Sequence, residues 1–215
     1  MRLYTYFRSS AAYRVRIALG LKQLDWEAVP VHLLRDGGQQ HSEAYKKKNP
    51  AELVPVLEDA GQVFTQSLAI IEYLDEAYPT TQALLPDDPV ARAHIRGLAL
   101  QIACDIHPLN NLRVLQYLEK NAAWDTAQRQ QWYLHWVGTG LEAFEKQLAV
   151  YNTSGEYCYG SQPTLADVCL IPQVFNAQRF GYAIDHLPRV AQAVQACSQL
   201  PAFIQAEPAQ QMDAE

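Results

Sequence analysis

Residues 1–80 change their hydrophobic period in a fixed order, and that order limits the fold more than any other feature of the chain. Arg2-Leu3-Tyr4-Thr5-Tyr6-Phe7 is an aromatic-rich strand that stops at the polar pair Ser9-Ser10. From Ala11 to Leu21 the residues Val15, Ala18 and Leu19 return at helical spacing, with Arg14 and Arg16 offset from them. Trp26–Leu33 alternates through Val29, Val31 and Leu33. A polar loop, Asp36-Gly37-Gly38-Gln39-Gln40, then leads to a short helix that stops before Pro50. Leu53–Leu57 and Gln62–Thr65 read as two strands turning at Asp59-Ala60-Gly61. Ser67–Tyr78 is an amphipathic helix carrying Ile70, Ile71, Leu74 and Tyr78. The order β-α-β-α-β-β-α predicts two parallel strands joined by a helix, then an antiparallel hairpin, with helices covering the sheet. That is an α/β, thioredoxin-like N-terminal domain.

Pro79–Pro89 holds three prolines and reads as a linker. Beyond it, residues 89–215 predict an all-α C-terminal domain with helices near Val90–Lys120, Thr126–Tyr151, Leu165–Phe180 and Leu187–Cys197. Pro108 breaks the first of these near His107. Pro208–Glu215 is polar and is expected to fray.

Composition narrows the partners. The 215 residues are 49% hydrophobic and carry a net charge of −6, which argues against a nucleic-acid or anionic-membrane partner. No run of about 18 apolar residues offers a membrane span. Met1–Tyr6 opens a strand rather than a leader peptide, so a cytoplasmic protein is expected. Cys104, Cys158, Cys169 and Cys197 form no CxxC pair and no metal-like spacing, so no metal is expected.

Ser9-Ser10 stands at a strand-to-helix junction, where free N–H groups and a partial positive charge bind anions and favour thiolates. The plain alternative is an N-cap. A redox protein of this fold would place CxxC there. This chain has Ser9-Ser10-Ala11-Ala12, so a working thiol must come from a ligand. In Leu53-Val54-Pro55-Val56, a cis Pro55 would expose the Val54 backbone to a bound peptide, or simply begin a strand. Gln66-Ser67 opens the next helix and suits a carboxylate, or caps it. In the segment Asp105–Arg113, Ile102, Ile106, Leu109 and Leu112 share one side, and His107, Asn110 and Asn111 the other. Leu100, Ala103 and Cys104 continue that second side, which points to a cleft or a subunit interface. Thr164 and Asp167 make a capping box with a structural role. Arg179 lies at the end of the same helix.

Together these residues resemble the zeta-class glutathione transferases, the class that includes maleylacetoacetate and maleylpyruvate isomerases. The resemblance runs nearly the whole length of the chain. It includes Ser9–Leu19, Asp36–Gln40, Asn49-Pro50, Val54-Pro55, Gln66–Leu74, Leu84-Leu85-Pro86, Thr164–Asp167, Pro172-Gln173-Val174 and Arg179-Phe180. It implies that Ser9, Ser10, Gln40, Val54, Gln66 and Ser67 bind glutathione, with Ala11 in the same first turn. Asp105 and Asn111 would add contacts across the interface of a homodimer. His107 matches a functional histidine of bacterial members. Where the family usually has Ser-Ser-Cys, this chain has Ala11, which removes a thiol but leaves both hydroxyls.

The implied activity is a glutathione-dependent cis–trans isomerisation of a maleyl keto-acid in aromatic amino-acid catabolism, with glutathione regenerated. Ser9 or Ser10 would stabilise the thiolate, and Arg8, Arg113 and Arg179 would hold the carboxylates of a small dicarboxylate substrate. Two alternatives stay open: a general glutathione transferase acting on electrophiles, which needs no arginine cluster, and a non-catalytic binding protein with the same fold.

Overall fold

The computed structural model describes residues 1–151 and 153–215. In chain order the first elements are β1 (Arg2–Thr5), α1 (Ser10–Leu21), β2 (Glu27–Pro30), α2 (Glu43–Lys46), β3 (Val56–Asp59), β4 (Gln62–Thr65) and α3 (Ser67–Ala77). The sheet runs β2-β1-β3-β4, with β1 parallel to β2 and antiparallel to β3, and β3 antiparallel to β4. This is the expected mixed sheet with shorter strands. β2 ends at Pro30, and β3 begins only after Pro55, because Pro55 brings no N–H to a ladder.

α1 is buried on nearly every side, packed against α3 and a short helix from much later in the chain. Arg14 and Arg16, which the spacing set apart from the apolar face, are only 2% exposed. Arg16 is satisfied there. Its Nε donates to Ala206 O at 3.0 Å, Nη1 to Thr5 Oγ1 at 3.0 Å and Nη2 to Phe7 O at 3.1 Å. Desolvation pulls its pKa down to about 10, and Tyr13 and Asp213 partly oppose that shift.

The helical part continues with α4 (Pro89–Leu100), a π-helical stretch Gln101–Ile106, a 3-10 turn Pro108–Asn110, α5 (Leu112–Asn121), α6 (Thr126–Tyr151), α7 (Leu165–Arg179), α8 (Pro188–Cys197) and α9 (Pro201–Ala206). The expected first long helix is thus divided. Pro108 ends it as predicted, and the His107 N–H reaches back to Ile102 O at 2.9 Å in the preceding π stretch. Gly140 of α6 accommodates this stretch, since a Cβ there would lie 2.3 Å from Ile106 Cγ1.

The Thr164–Asp167 capping box forms as expected. Asp167 Oδ2 accepts Thr164 N–H at 2.8 Å and the Thr164 hydroxyl at 2.9 Å.

The chain divides into two compact units, Met1–Leu84 with Ser198–Glu215, and Leu85–Cys197. The segment past Cys197 therefore belongs with the sheet rather than with the other helices. α9 was not foreseen; it lies on α1, and Gly20 permits the contact because a Cβ there would come within 3.1 Å of Ala202 Cβ. Nor does Pro208–Glu215 fray: Asp213 Oδ2 accepts the Phe7 N–H at 3.0 Å. Its polar side chains find partners in the first unit.

Candidate active site

In the first unit the site begins where β1 hands over to α1. Ser9 is extended (φ −74°, ψ 115°), and its Oγ accepts the Ala12 N–H at 3.2 Å, so it is a true N-cap. Capping uses a lone pair of the oxygen and leaves the hydroxyl hydrogen to donate elsewhere. The capping and functional readings of Ser9 are therefore compatible. Ser10 is only 4% exposed, whereas Ser9 is half-buried. The Ala11 amide, in the first turn, has no partner among the described residues. Arg8 is exposed, its guanidinium 4.8 Å from the Phe7 ring centre.

Val54 shares one apolar cluster with Phe7, Tyr45, Val31 and Val56, against which Leu33 packs. The cluster joins the approach to Ser9 with the approach to Pro55. The Val54–Pro55 bond is cis, as expected. Leu53 O is fixed by the Tyr45 hydroxyl at 2.7 Å and Asn49 Nδ2 at 2.7 Å. Val54 itself gives its backbone N–H and C=O to no other described residue, leaving a short free edge for a peptide-like ligand. Gln40 is buried with its Nε2 on Leu33 O at 3.4 Å, while its Oε1 is buried without a partner. An orphaned buried acceptor of this kind calls for a donor from outside the chain.

Gln66 completes the set at the start of α3. It is exposed and holds φ 68°, ψ 115°, a conformation that costs a non-glycine residue on the order of 1–3 kcal/mol. Ser67 is buried, and its Oγ accepts from Arg14 Nη1 at 3.3 Å, which couples α3 to α1. The first unit thus gathers N–H donors for an anion or thiolate, a free strand edge and a second helix start.

In the second unit, Asp105 is exposed within the π stretch and His107 is half-buried just after it. Asn111 caps α5, its Oδ1 accepting the Arg113 N–H at 3.1 Å with one of its two lone pairs. Arg113 is exposed. Arg179, at the end of α7, stands with its guanidinium 5.1 Å from the Phe180 ring centre, and Phe180 stacks on Tyr133 at 3.8 Å. Asn110 Nδ2 donates to Tyr133 O at 3.2 Å. The His107–Arg113 segment and Arg179 therefore lean on the same residue of α6. Burial pushes the Tyr133 phenol up to about 12, against the opposing charge of Arg179.

Residues 3–82 match the family described as Glutathione S-transferase, N-terminal domain. A probable maleylacetoacetate isomerase of Vibrio cholerae is 50% identical over 212 residues, covering 99% of this chain and 97% of the relative. The holo structure of a maleyl pyruvate isomerase, a bacterial glutathione S-transferase of the zeta class, superposes with a TM-score of 0.96 at 44% identity, with 100% of both chains covered. This chain belongs to the zeta-class glutathione transferases. A maleylacetoacetate isomerase from Methylobacterium extorquens with bound malonate and glutathione also matches, with a TM-score of 0.95 at 36% identity and 100% of both chains covered.

Several residues outside those expected from the sequence support this candidate site. Arg14, Tyr45 and Asn49 hold Ser67 and Leu53 O, and Tyr133 and Phe180 support Arg179. For Arg14 a signal was available: an Arg-x-Arg pair inside an otherwise apolar helix must be buried with partners or break the pattern. For Tyr45 and Asn49 no local signal exists, because their acceptor is set by the path of the loop. Among the described residues no group of three or more His, Cys, Asp or Glu is placed to hold a metal, and no helix is long and apolar enough to cross a membrane.

Proposed function

We propose that this chain is a glutathione-dependent cis–trans isomerase of maleyl keto-acids, converting maleylacetoacetate to fumarylacetoacetate or maleylpyruvate to fumarylpyruvate. The observation that carries this reading is end-to-end identity with isomerases of this type at 50%, in a chain without a thiol where α1 begins. The residues of the first unit fit glutathione on their own chemistry. Val54 offers an open N–H and C=O to a peptide, Gln40 has an acceptor to fill, and the start of α3 suits a carboxylate. In this assignment the first unit holds glutathione and the second unit, Leu85–Cys197, supplies the substrate pocket.

Bound glutathione supplies the nucleophilic thiolate whose reversible addition frees the cis double bond to rotate. The Ser9 hydroxyl and the Ala11 amide hold the negative charge on sulfur, with Ser10 as the neighbouring hydroxyl. Arg8, Arg113 and Arg179 bind the substrate carboxylates and stabilise charge that develops between them. His107 carries a proton beside the substrate. Asp105 and Asn111 serve the glutathione of a second protomer in a homodimer. An exposed stripe on α4 and the π stretch supports that assembly: Val90, Ala93, Gly97, Leu100 and Cys104 recur at steps of three and four. Four cysteines that form no disulfide among the described residues suit a reducing, cytoplasmic location.

The deciding experiment supplies each cis diacid with and without glutathione and follows the fumaryl product. Isomerisation that requires glutathione and consumes none is the expected result. Turnover without glutathione, or stoichiometric loss of free thiol, would overturn the proposal.

A further inference from the structure

The segment 207–215 has no part in the site described above, yet it touches both stretches of chain that lead into the glutathione-binding residues. We infer that it is a strap, with Asp213 as its positioning residue, that fixes the Phe7–Ser9 turn and the loop from His32 to Gln40 in the geometry that binds glutathione. This rests on the assignment of glutathione to the first unit.

The first contact is at Phe7. β1 ends at Thr5, so the Phe7 amide lies past the ladder and needs an acceptor from elsewhere. Asp213 Oδ2 provides it at 3.0 Å, in a partly buried, charge-assisted bond. The Phe7 carbonyl is held from the other side by Arg16 Nη2 at 3.1 Å. Through Nε the same arginine grips Ala206 O at 3.0 Å, immediately before the strap. Both backbone groups of Phe7, two residues ahead of Ser9, are therefore clamped to the segment that begins at Ala206.

The second contact is at the loop. The carboxylate of Glu215 bonds Arg35 Nη2 and lies 3.3 Å from His32 Nε2. His32 Nδ1 accepts the amides of Leu34 at 3.1 Å and Arg35 at 2.8 Å, which leaves Nε2 facing the Glu215 carboxylate. The His32 N–H in turn bonds Gln39 Oε1 at 2.8 Å, one residue before Gln40. The His32 ring also meets Tyr6 edge-on at 5.0 Å, linking the two stretches.

The strap has structure of its own. Gln211 Nε2 donates to Gln205 O and Glu207 O, both at 2.9 Å, and Pro208 is buried. The two contacts are unequal. Arg35 and Glu215 are 61% and 42% exposed, and an ion pair in that setting contributes little. Asp213 acts on a backbone amide away from bulk water, so it should carry most of the effect.

The test compares wild type with Asp213→Ala, Asp213→Asn and Glu215→Gln. Three quantities are measured: glutathione affinity by titration calorimetry, amide exchange of residues 6–13 without glutathione, and kcat at saturating glutathione. Loss of one charge-assisted bond predicts about five- to tenfold weaker glutathione binding for Asp213→Ala, with faster exchange at Phe7 and kcat within about twofold. Asp213→Asn keeps an acceptor oxygen and should restore affinity to within about twofold of wild type, and Glu215→Gln should change it less than about twofold. Wild-type affinity or wild-type exchange in Asp213→Ala would overturn the strap alone, as would Asp213→Asn behaving like Asp213→Ala. A wild-type protein that binds no glutathione would overturn the site assignment and the strap with it.

Discussion

Arg14 Nη1 donates to Ser67 Oγ at 3.3 Å, and this bond joins the helix that begins at Ser9-Ser10 to the helix that begins at Gln66-Ser67. Both residues are buried. The two helix starts proposed to hold the thiol and a carboxylate of glutathione thus depend on a shared internal contact. Ser67→Ala leaves a buried guanidinium one acceptor short, which should cost about 1–3 kcal/mol of stability. It should also weaken glutathione binding through loss of the hydroxyl. Denaturant midpoints and a glutathione titration on the same variant measure both. Unchanged stability would mean that water replaces the hydroxyl at no cost.

Ser9 and Ser10 differ in exposure and in local duty, and this separates their predicted phenotypes. Ser9→Ala removes an N-cap and should lower stability by about 1 kcal/mol. It should also raise the apparent pKa of the bound glutathione thiol, because a hydrogen bond to the thiolate favours the charged form. Ser9→Thr keeps an oxygen at the cap and should recover most of the stability. Thiolate absorbance against pH gives the answer. A shift in Ser10→Ala but none in Ser9→Ala would transfer the role to Ser10.

Alkaline pH should reveal several late-ionising tyrosines. The Tyr78 hydroxyl donates to Asp59 Oδ2 at 2.6 Å, and that bond, with burial, pushes its pKa up to about 12. Burial does the same at Tyr133 and raises Tyr45 further, with Tyr4 adding to the effect there. In the unfolded chain these phenols lose their protons near pH 10, while the folded chain keeps them. The folded state therefore binds more protons between about pH 10 and 12, and its stability must fall as pH rises through that window. Tyr78→Phe and Tyr133→Phe should each remove one late phenol from the phenolate absorbance titration and flatten the fall in stability. Normal titration of all twelve tyrosines near pH 10 would contradict this.

Much of the architecture is legible because it is written in local periodicity and turn residues. The change from alternating to helical spacing located α1 and α3, the Asp59–Gly61 turn located the β3–β4 hairpin, and Pro108 located the break after His107. The Thr164–Asp167 box is local and was found for the same reason. What escaped depends on contacts distant in sequence. Nothing near Arg16 says that it will hold both Phe7 O and Ala206 O, and nothing near Asp213 says that a polar end will find the Phe7 amide. At Asn111 the sequence pattern left out a local duty, the cap its Oδ1 makes by accepting the Arg113 N–H.

The arginines separate a diacid isomerase from a general transferase. A dicarboxylate carries two negative charges, and the protein's net charge of −6 works against its approach, so cations near the substrate must dominate the local field. Arg113 and Arg179 are both exposed. Asn111 fixes the first turn of α5 through the Arg113 amide, and the Phe180–Tyr133 stack lies against the Arg179 guanidinium. Each is proposed to hold a carboxylate in a charge-assisted bond, the loss of which costs about 1.5–3 kcal/mol, or roughly ten- to a hundredfold in kcat/KM. Arg113→Ala and Arg179→Ala should therefore each lower diacid isomerisation by that factor and leave glutathione affinity nearly unchanged. Arg179→Lys should recover only part of the loss, because an ammonium keeps the charge but gives up the planar stack and the two-pronged grip. Efficiency toward maleylacetoacetate and maleylpyruvate, measured beside a glutathione titration, tests all three variants. If both alanine variants isomerise at the wild-type rate, the carboxylate clamp fails and conjugation of general electrophiles becomes the better account of the second pocket.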